Sequence, residues 1–447
     1  MKTEKIISKN LSWLNTIKKD NGYGGPVIHY WQNSLSYIGP SLDWGYEGII
    51  TAFITLYEKT ENNKFLNLAL EAGNHLAKNQ FINGSFLNSN FEANPSLTMG
   101  GTPHESAACI GLARLCLKLK ELKMDYKIYL NTLMNNFNKF HMKILYDKNE
   151  KTFLQYRYDP KKYHVPNKIA TISELCLLLH KLTGQNIYER LAINNANFIS
   201  HCIDKKNGGL YQTDKNNIRI ITYYNARCIP FLKEINKKTN KYEKPLYAAY
   251  EFIKSMECKE GGFNFGLINK NGKMEKVKYP QFAAGTADII RALKLVDEKK
   301  HNHHIEWLLD KRNPNGSFRT SVGILNKDTN NKPELSWKDV MPVFGWNDKV
   351  LRLYAELLKS NKEIEINEIS PMEIDCTDGK YYEDKKKILI KNSIVFKKNE
   401  YFAKNNYILK PLMNATNIYA SFRKRYGIDI RTMRYFFNKF GGYKHTL

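Results

Sequence analysis

Long apolar runs are missing from this chain. No stretch approaches the roughly 18 consecutive apolar residues that a membrane-spanning helix needs. The opening MKTEKIISKNLSWLNTIKKDNG has neither an apolar core nor a small-residue cleavage site, so it does not read as a secretory signal. Cysteine is scarce and unordered: seven residues, an odd number, with no CxxC pair. That excludes a disulfide scaffold and a cysteine-based zinc site. Several of the seven lie in apolar helical runs, the pattern of reduced buried thiols, which predicts a cytoplasmic location. The GxGxxG and GxxxxGK[ST] phosphate loops are absent. Acidic residues are in short supply, 44 against 69 Lys and Arg, for a net charge of +25. Two readings of that excess stay open: a polyanionic partner, or codon usage that favours Lys, Asn and Ile. Hydrophobic residues at 42% exclude wholesale disorder.

What is present is a repeat. A phrase recurs at the ends of helical patterns: KKDNGYGG (18–25), KNQFINGSF (78–86), DKNEKTF (147–153), DKKNGGLY (204–211), CKEGGFNF (258–265) and NPNGSF (313–318). Its first apolar or aromatic residues are Tyr23, Phe86, Phe153, Leu210, Phe263 and Phe318, spaced 53–67 residues apart. The polar residues end a helix, Asn-Gly or Gly-Gly supplies the left-handed backbone that stops it, and the aromatic re-enters the core as a plug. Between phrases lie two helical patterns joined by short turns such as TENN, LTGQN and KKTN. The pairs read as 48–60 with 64–80, 104–120 with 125–145, 170–183 with 186–203, 222–236 with 241–257, and 281–297 with 303–311. A helix at 347–360 lacks a following partner and one at 3–18 lacks a preceding one, so the two complete each other and close a ring.

The pattern predicts an all-α (α/α)6 toroid over residues 1–360, closed by the N-terminal helix and followed by a small basic α+β appendage at 361–447. KNQFINGSF and EWLLDKRNPNGSF resemble repeats of two superfamilies that share this toroid. One is the six-hairpin glycosidases with their lyase and epimerase relatives. The other is the terpenoid cyclases and protein prenyltransferases. The resemblance covers about residues 1–360 and is specific for architecture. It implies a carbohydrate-active enzyme acting on an oligosaccharide or polysaccharide, acidic ones included: a glycoside hydrolase first, a uronate lyase or epimerase second. The alternatives it leaves are a divergent isoprenoid enzyme and a non-catalytic toroid that binds a glycan or a protein. No DxDD acid motif of the alkene-protonating cyclases occurs. Asp375 and Cys376 are adjacent, not spaced two apart as in the prenyltransferase zinc site.

The long connections must converge on one rim, above the N-termini of the inner helices, where the positive helix ends also point. Loop one brings His29, Tyr30, Trp31, Asp43, Trp44 and Glu47; Asp43 and Glu47, four apart, share a helix face. Paired carboxyls across a pocket are what glycoside hydrolysis uses, although Asp43 also reads as a helix cap. Loop two brings His104 and Glu105 into a first helical turn. Loop three brings Arg157 and loop four brings Tyr223, Tyr224, Asn225 and Arg227, a set suited to moving a proton beside a carboxylate. Loop five contributes Asp288, and loop six Trp337, Trp346 and Asp348. The expected catalytic residues are therefore Asp43, Glu47, His104, Glu105 and Asp348, with the other named aromatics, His29, Asn225 and the arginines binding substrate. Asp288 is given no role.

No cofactor, no metal and no nucleic-acid partner are expected; HNHH at 301–304 resembles a metal tract but opens an outer helix on the far rim. The appendage alternates β-branched residues (ILIKNSIVF) and ends in basic, aromatic helical patterns. It reads either as packing on the ring or a partner, or as a basic tail for a membrane surface or an acidic partner. Oligomeric state is not legible.

Overall fold

The computed structural model describes residues 2–19, 22–28, 35–40, 42, 44–86, 102–155, 162–215, 218–297, 301–324, 329–331, 337–340, 342–360, 362–367, 373–374, 394–397 and 400–403. Helix α1 (Thr3–Thr16) leads into α2 (Trp44–Thr60) and α3 (Asn63–Lys78), then α4 (Thr102–Glu121) and α5 (Lys127–Asn135). The pairs α6 (Pro166–Thr183) with α7 (Asn186–His201), α8 (Thr222–Thr239) with α9 (Glu243–Ser255), and α10 (Thr286–Val296) with α11 (Asn302–Asp310) follow. A single turn, α12 (Trp337–Val340), precedes α13 (Phe344–Leu357).

Local signals set the ends of these helices. Asn62 caps α3 by accepting the Lys64 N–H at 2.9 Å. Pro166 opens α6 where a missing N–H costs nothing, and Gly184 ends it at φ 71°. The expected helix at 125–145 is α5 continued by a π-helical stretch, Asn136–Leu145. The helix expected from 281 starts instead at Thr286, because Gln281–Phe282 pairs as a strand with Ser321–Val322.

Packing neighbours give the ring. Helix α2 packs on α4, α4 on α6, α6 on α8, α8 on α10, α10 on α13, and α13 back on α2. These six are the inner wall, so α2 and α8 stand opposite each other. α3, α5, α7, α9 and α11 form the outer layer, and α1 takes the sixth outer place against α13. The ring therefore closes as an (α/α)6 toroid through its N-terminal helix. Ile6, Ile7, Leu11, Trp13 and Leu14 of α1 are buried in the common core. Asn10 Nδ2 donates to Gly316 O and to Asn347 Oδ1, both at 3.4 Å, stitching α1 to the last phrase and to α13.

All six plug residues are buried. Each pairs antiparallel with a residue at the end of the preceding helix: Lys18 with Tyr23, Gln80 with Phe86, Tyr146 with Phe153, Ile203 with Leu210, Glu257 with Phe263 and Arg312 with Phe318. Gly84, Gly208 and Gly316 have φ of 82°, 68° and 89°, the left-handed stop that the phrase predicts.

Past the ring, residues 362–367 run back over α1. The Asn367 N–H donates to Ser12 Oγ at 2.9 Å, and Ile364 is buried in the same core. Glu373–Ile374, Ile394–Lys397 and Glu400–Ala403 form a three-stranded antiparallel sheet. The basic helical patterns expected near the C-terminus lie outside the described residues.

Candidate active site

The site grows from the first turns of the inner helices, where two jobs are divided. One is to hold the plugs. Tyr46 Oη accepts the Tyr23 N–H at 2.9 Å, and Glu105 Oε2 accepts the Phe86 N–H at 3.0 Å. Asn225 Oδ1 accepts the Leu210 N–H at 2.7 Å, and Asn347 Oδ1 accepts the Phe318 N–H at 2.7 Å. The two asparagines also donate back to the carbonyl of the same plug, at 3.3 and 3.0 Å. In four repeats the third or fourth residue of an inner helix thus clamps the plug before it. Glu105 and Asn225, expected at the substrate, are engaged in these clamps; Asn136 Nδ2 lies 3.3 Å from the same Glu105 oxygen.

The other job faces the lumen. Glu47 of α2 meets Arg227 of α8 across the ring in a two-pronged pair, Nη2 to Oε2 at 2.8 Å and Nη1 to Oε1 at 3.2 Å. Arg227 Nη1 is 3.5 Å from Asp288 Oδ2, and Asp288 Oδ1 accepts from Arg291 Nη1 at 3.1 Å. Arg291 grips Glu356 through Nε and Nη2 at 2.9 and 2.8 Å. Glu356 stands 3.6 Å from Arg352 Nε, and Arg352 Nη1 donates to Glu47 Oε1 at 2.9 Å. The chain of contacts returns to its start. Three carboxylates and three guanidiniums alternate around a closed, neutral hexad drawn from α2, α8, α10 and α13.

Beside the hexad, α13 carries Asp348 and Lys349. Lys349 Nζ donates to both Asp348 oxygens, at 3.0 and 2.9 Å, and both side chains are buried. Asp348 leans on the backbone of α2 at Gly48, where a Cβ would fall 2.0 Å from Asp348 Oδ2. Over the charges lies an aromatic wall. Trp44 has Arg227 Cζ at 5.0 Å and Lys349 Nζ at 5.7 Å from its ring centre. Trp346 stacks on Phe282 at 5.1 Å and meets Tyr223 edge-on at 4.9 Å. The Tyr223 hydroxyl donates to Asp288 Oδ2 at 3.3 Å.

The environments split the carboxyls. Burial alone would raise Asp288, but Arg227, Lys349, Arg291 and Arg352 together outweigh it and bring the group to about 2. Glu47 is likewise held below its ordinary value, burial being overcome by Arg227 and Arg352. Asp348 goes the other way. Burial pushes it up, Lys349 offsets only part, and Asp288 and Glu47 repel it, so it rises to about 7. Burial and Asp288 keep the Tyr223 phenol well above its usual range, hence a proton donor.

Of the residues expected at the site, Glu47, Asp348, Arg227, Tyr223, Trp44 and Trp346 come together. Tyr224 is half-buried behind Tyr223, with ring centres 6.5 Å apart. His29, Tyr30, Trp31, Asp43 and Arg157 lie outside the described residues, as do the side chains of His104 and Trp337. The reading of the sequence missed Arg291, Lys349, Arg352 and Glu356 and gave Asp288 no role. Their signal was available: a charge inside a helix walled by neighbours on both sides must face the lumen.

The chain matches no known sequence family and no characterised protein by sequence. Its structure does find counterparts. The family 76 glycoside hydrolase of a bovine Bacteroides thetaiotaomicron strain superposes with a TM-score of 0.54 at 12% identity, over 80% of this chain and 77% of that one. An unsaturated glucuronyl hydrolase from Streptococcus agalactiae gives 0.56 at 11%, over 81% and 93%. Cellobiose 2-epimerase from Bacillus thermoamylovorans gives 0.55 at 13%, over 80% and 99%. The fold is that of the six-hairpin glycosidases. Identities this low carry the architecture and not the chemistry.

Proposed function

We propose that this protein is a carbohydrate-processing enzyme, a glycoside hydrolase first, with Asp348 as its proton donor. The observation that carries this reading is the split among the buried carboxyls. Asp348 keeps a proton near neutrality while Asp288 and Glu47 stay ionised beside it, and groups pushed apart in this way are what acid–base assignments rest on. Asp348 would protonate the leaving oxygen. Glu47, locked between two arginines, serves as a strut. Asp43, which directly precedes α2 in the sequence, is the candidate for the base or nucleophile that hydrolysis needs opposite the acid. Trp44, Trp346 and Tyr223 would stack on the apolar faces of a sugar ring. A lumen of charges and aromatics suits hydroxylated substrates better than isoprenoids, which call for apolar walls. Proton abstraction by Tyr223 is disfavoured, because its phenol holds its proton; elimination and epimerisation therefore rank second.

The test is turnover of a panel of defined disaccharides and aryl glycosides by the full chain and by Asp348→Asn. We expect the variant to lose about 100-fold or more, the usual worth of a general acid. Undiminished turnover by the variant would remove Asp348 from this role. Ultraviolet-absorbing unsaturated products would put elimination first, and binding without turnover would leave a glycan-binding toroid.

A further inference from the structure

The lumen's charges do not all balance in the same way. The hexad is complete in itself, each guanidinium lying between two carboxylates and each carboxylate between two guanidiniums. Asp348 and Lys349 stand outside it, as does the Arg114–Glu174 pair of α4 and α6, which is matched within itself at 2.7 Å. The Lys349 ammonium, 3% exposed as a residue, has two contacts among the described residues: the Asp348 carboxyl and the face of Trp44. Asp348 is confronted by Lys349 on its own helix, by Glu47 and the Gly48 backbone of α2, by Asp288 of α10 and by Tyr223 of α8. Two neighbouring carboxylates and full burial favour its neutral form. Once Asp348 is neutral, Lys349 has no carboxylate in contact among the described residues: Glu47 and Asp288 act on it only from longer range, and the Trp44 ring is the contact it keeps.

We propose that the lumen receives a saccharide bearing an anionic substituent, a carboxylate or a sulfate ester, and that Lys349 is the group that takes it. The inference rests on the carbohydrate reading above and names the substrate class for the same site. The ligand's anion replaces Asp348 as the partner of Lys349. Its negative charge adds to those of Glu47 and Asp288, and Asp348 takes up a proton from solvent. The substrate thereby loads the acid that acts on it. A neutral sugar leaves Lys349 paired with Asp348 and loads nothing.

Titration calorimetry on the full chain at about pH 8, where most Asp348 is ionised, in buffers of different ionisation enthalpy, tests this. The probes are a glucuronic-acid-terminated disaccharide, its glucose-terminated counterpart and a sulfated form of the latter. An anionic probe is expected to bind at least about tenfold more tightly than the neutral one, with proton uptake and with affinity falling up to about tenfold per pH unit above neutrality. Comparing the carboxylated and sulfated probes identifies which anion is meant. Lys349→Met should erase the preference and Lys349→Arg should keep it; Asp348→Asn should keep the preference without proton uptake. Equal affinity of the wild type for neutral and anionic probes overturns the proposal, as does anionic binding without proton uptake. Neither outcome depends on a variant's folding. Turnover of neutral sugars with no anionic preference removes this inference alone. If no probe binds and no panel sugar turns over, the carbohydrate reading falls and takes the inference with it.

Discussion

At Asp348 the interests of stability and activity diverge, and pH exposes the conflict. Its carboxyl sits near 7 in the folded protein against about 4 in an unfolded chain. The folded state then binds the proton more tightly, so the contribution of Asp348 is fully favourable below about pH 4 and is lost as pH rises towards 7. Asp348→Asn mimics the protonated form. At pH 8 it should therefore stabilise the protein, by an amount of the order of 2 kcal/mol, and the gain should shrink at pH 5; thermal melts at the two pH values check this. Wild-type turnover should fall along an alkaline limb near pH 7, as the acid loses its proton. Asp288 has the opposite sign. Held at about 2, it contributes stability above about pH 4 that disappears as pH falls through 2, which makes the hexad a source of acid unfolding. Removing one hexad member strands its partners. Glu47→Ala leaves Arg227 and Arg352 facing each other in the lumen and should cost about 3–5 kcal/mol. Glu58→Ala, which removes the partly exposed partner of Lys118, should cost less than about 1 kcal/mol. Urea denaturation of the two variants makes the comparison.

Among the elements, the stop phrases give a graded prediction. Gly84, Gly208 and Gly316 share positive φ, so any side chain there strains the backbone by about 1 kcal/mol or more. Their surroundings differ. A Cβ at Gly84 would fall 2.4 Å from Asn135 O, and one at Gly316 2.6 Å from Lys9 O, whereas at Gly208 the nearest atom is 3.9 Å away. Gly208→Ala should cost only the strain, while the other two also displace a neighbouring helix; chemical denaturation should rank them in that order. The phrases were legible because a stop signal is local, needing only a polar helix end, a residue tolerant of left-handed backbone and a plug. Helix ends slipped where pairing intervened, as at Gln281–Phe282. The clamps were not legible. Glu105 and Asn225 carry side chains suited to a substrate, and only the structure shows their oxygens turned onto the backbone of Phe86 and Leu210. The hexad was half legible: its charges stand out on apolar helices, but that Glu47 should find Arg227, 180 residues away, depends on the ring order.

For the whole molecule the question is what makes six hairpins one ring. The hexad ties α2 to α8 across the lumen and both to α10 and α13, yet it leaves the outer layer untouched. Closure of that layer rests on α1. This helix has no hairpin partner of its own next to it in sequence, and among the described residues no helix follows α13, so each covers an apolar face of the other, with residues 362–367 laid over α1. Ile6, Ile7, Leu11, Trp13 and Leu14 are nearly inaccessible to solvent, and burying each is worth about 1.5–3 kcal/mol. Their sum, of the order of 10 kcal/mol, matches the whole stability of an ordinary protein. A chain starting at Lys19 should therefore not hold the native fold, even though it retains every lumen residue. It should instead show helical far-ultraviolet dichroism without a cooperative melt, since the remaining helices keep their local signals. A synthetic peptide of residues 2–18 added in trans should restore the cooperative transition, and a version with Trp13→Ala and Leu14→Ala should not. If the truncated chain melted cooperatively without the peptide, the ring would be sustained by its inner wall, and the N-terminal helix would be a passenger rather than the closing segment.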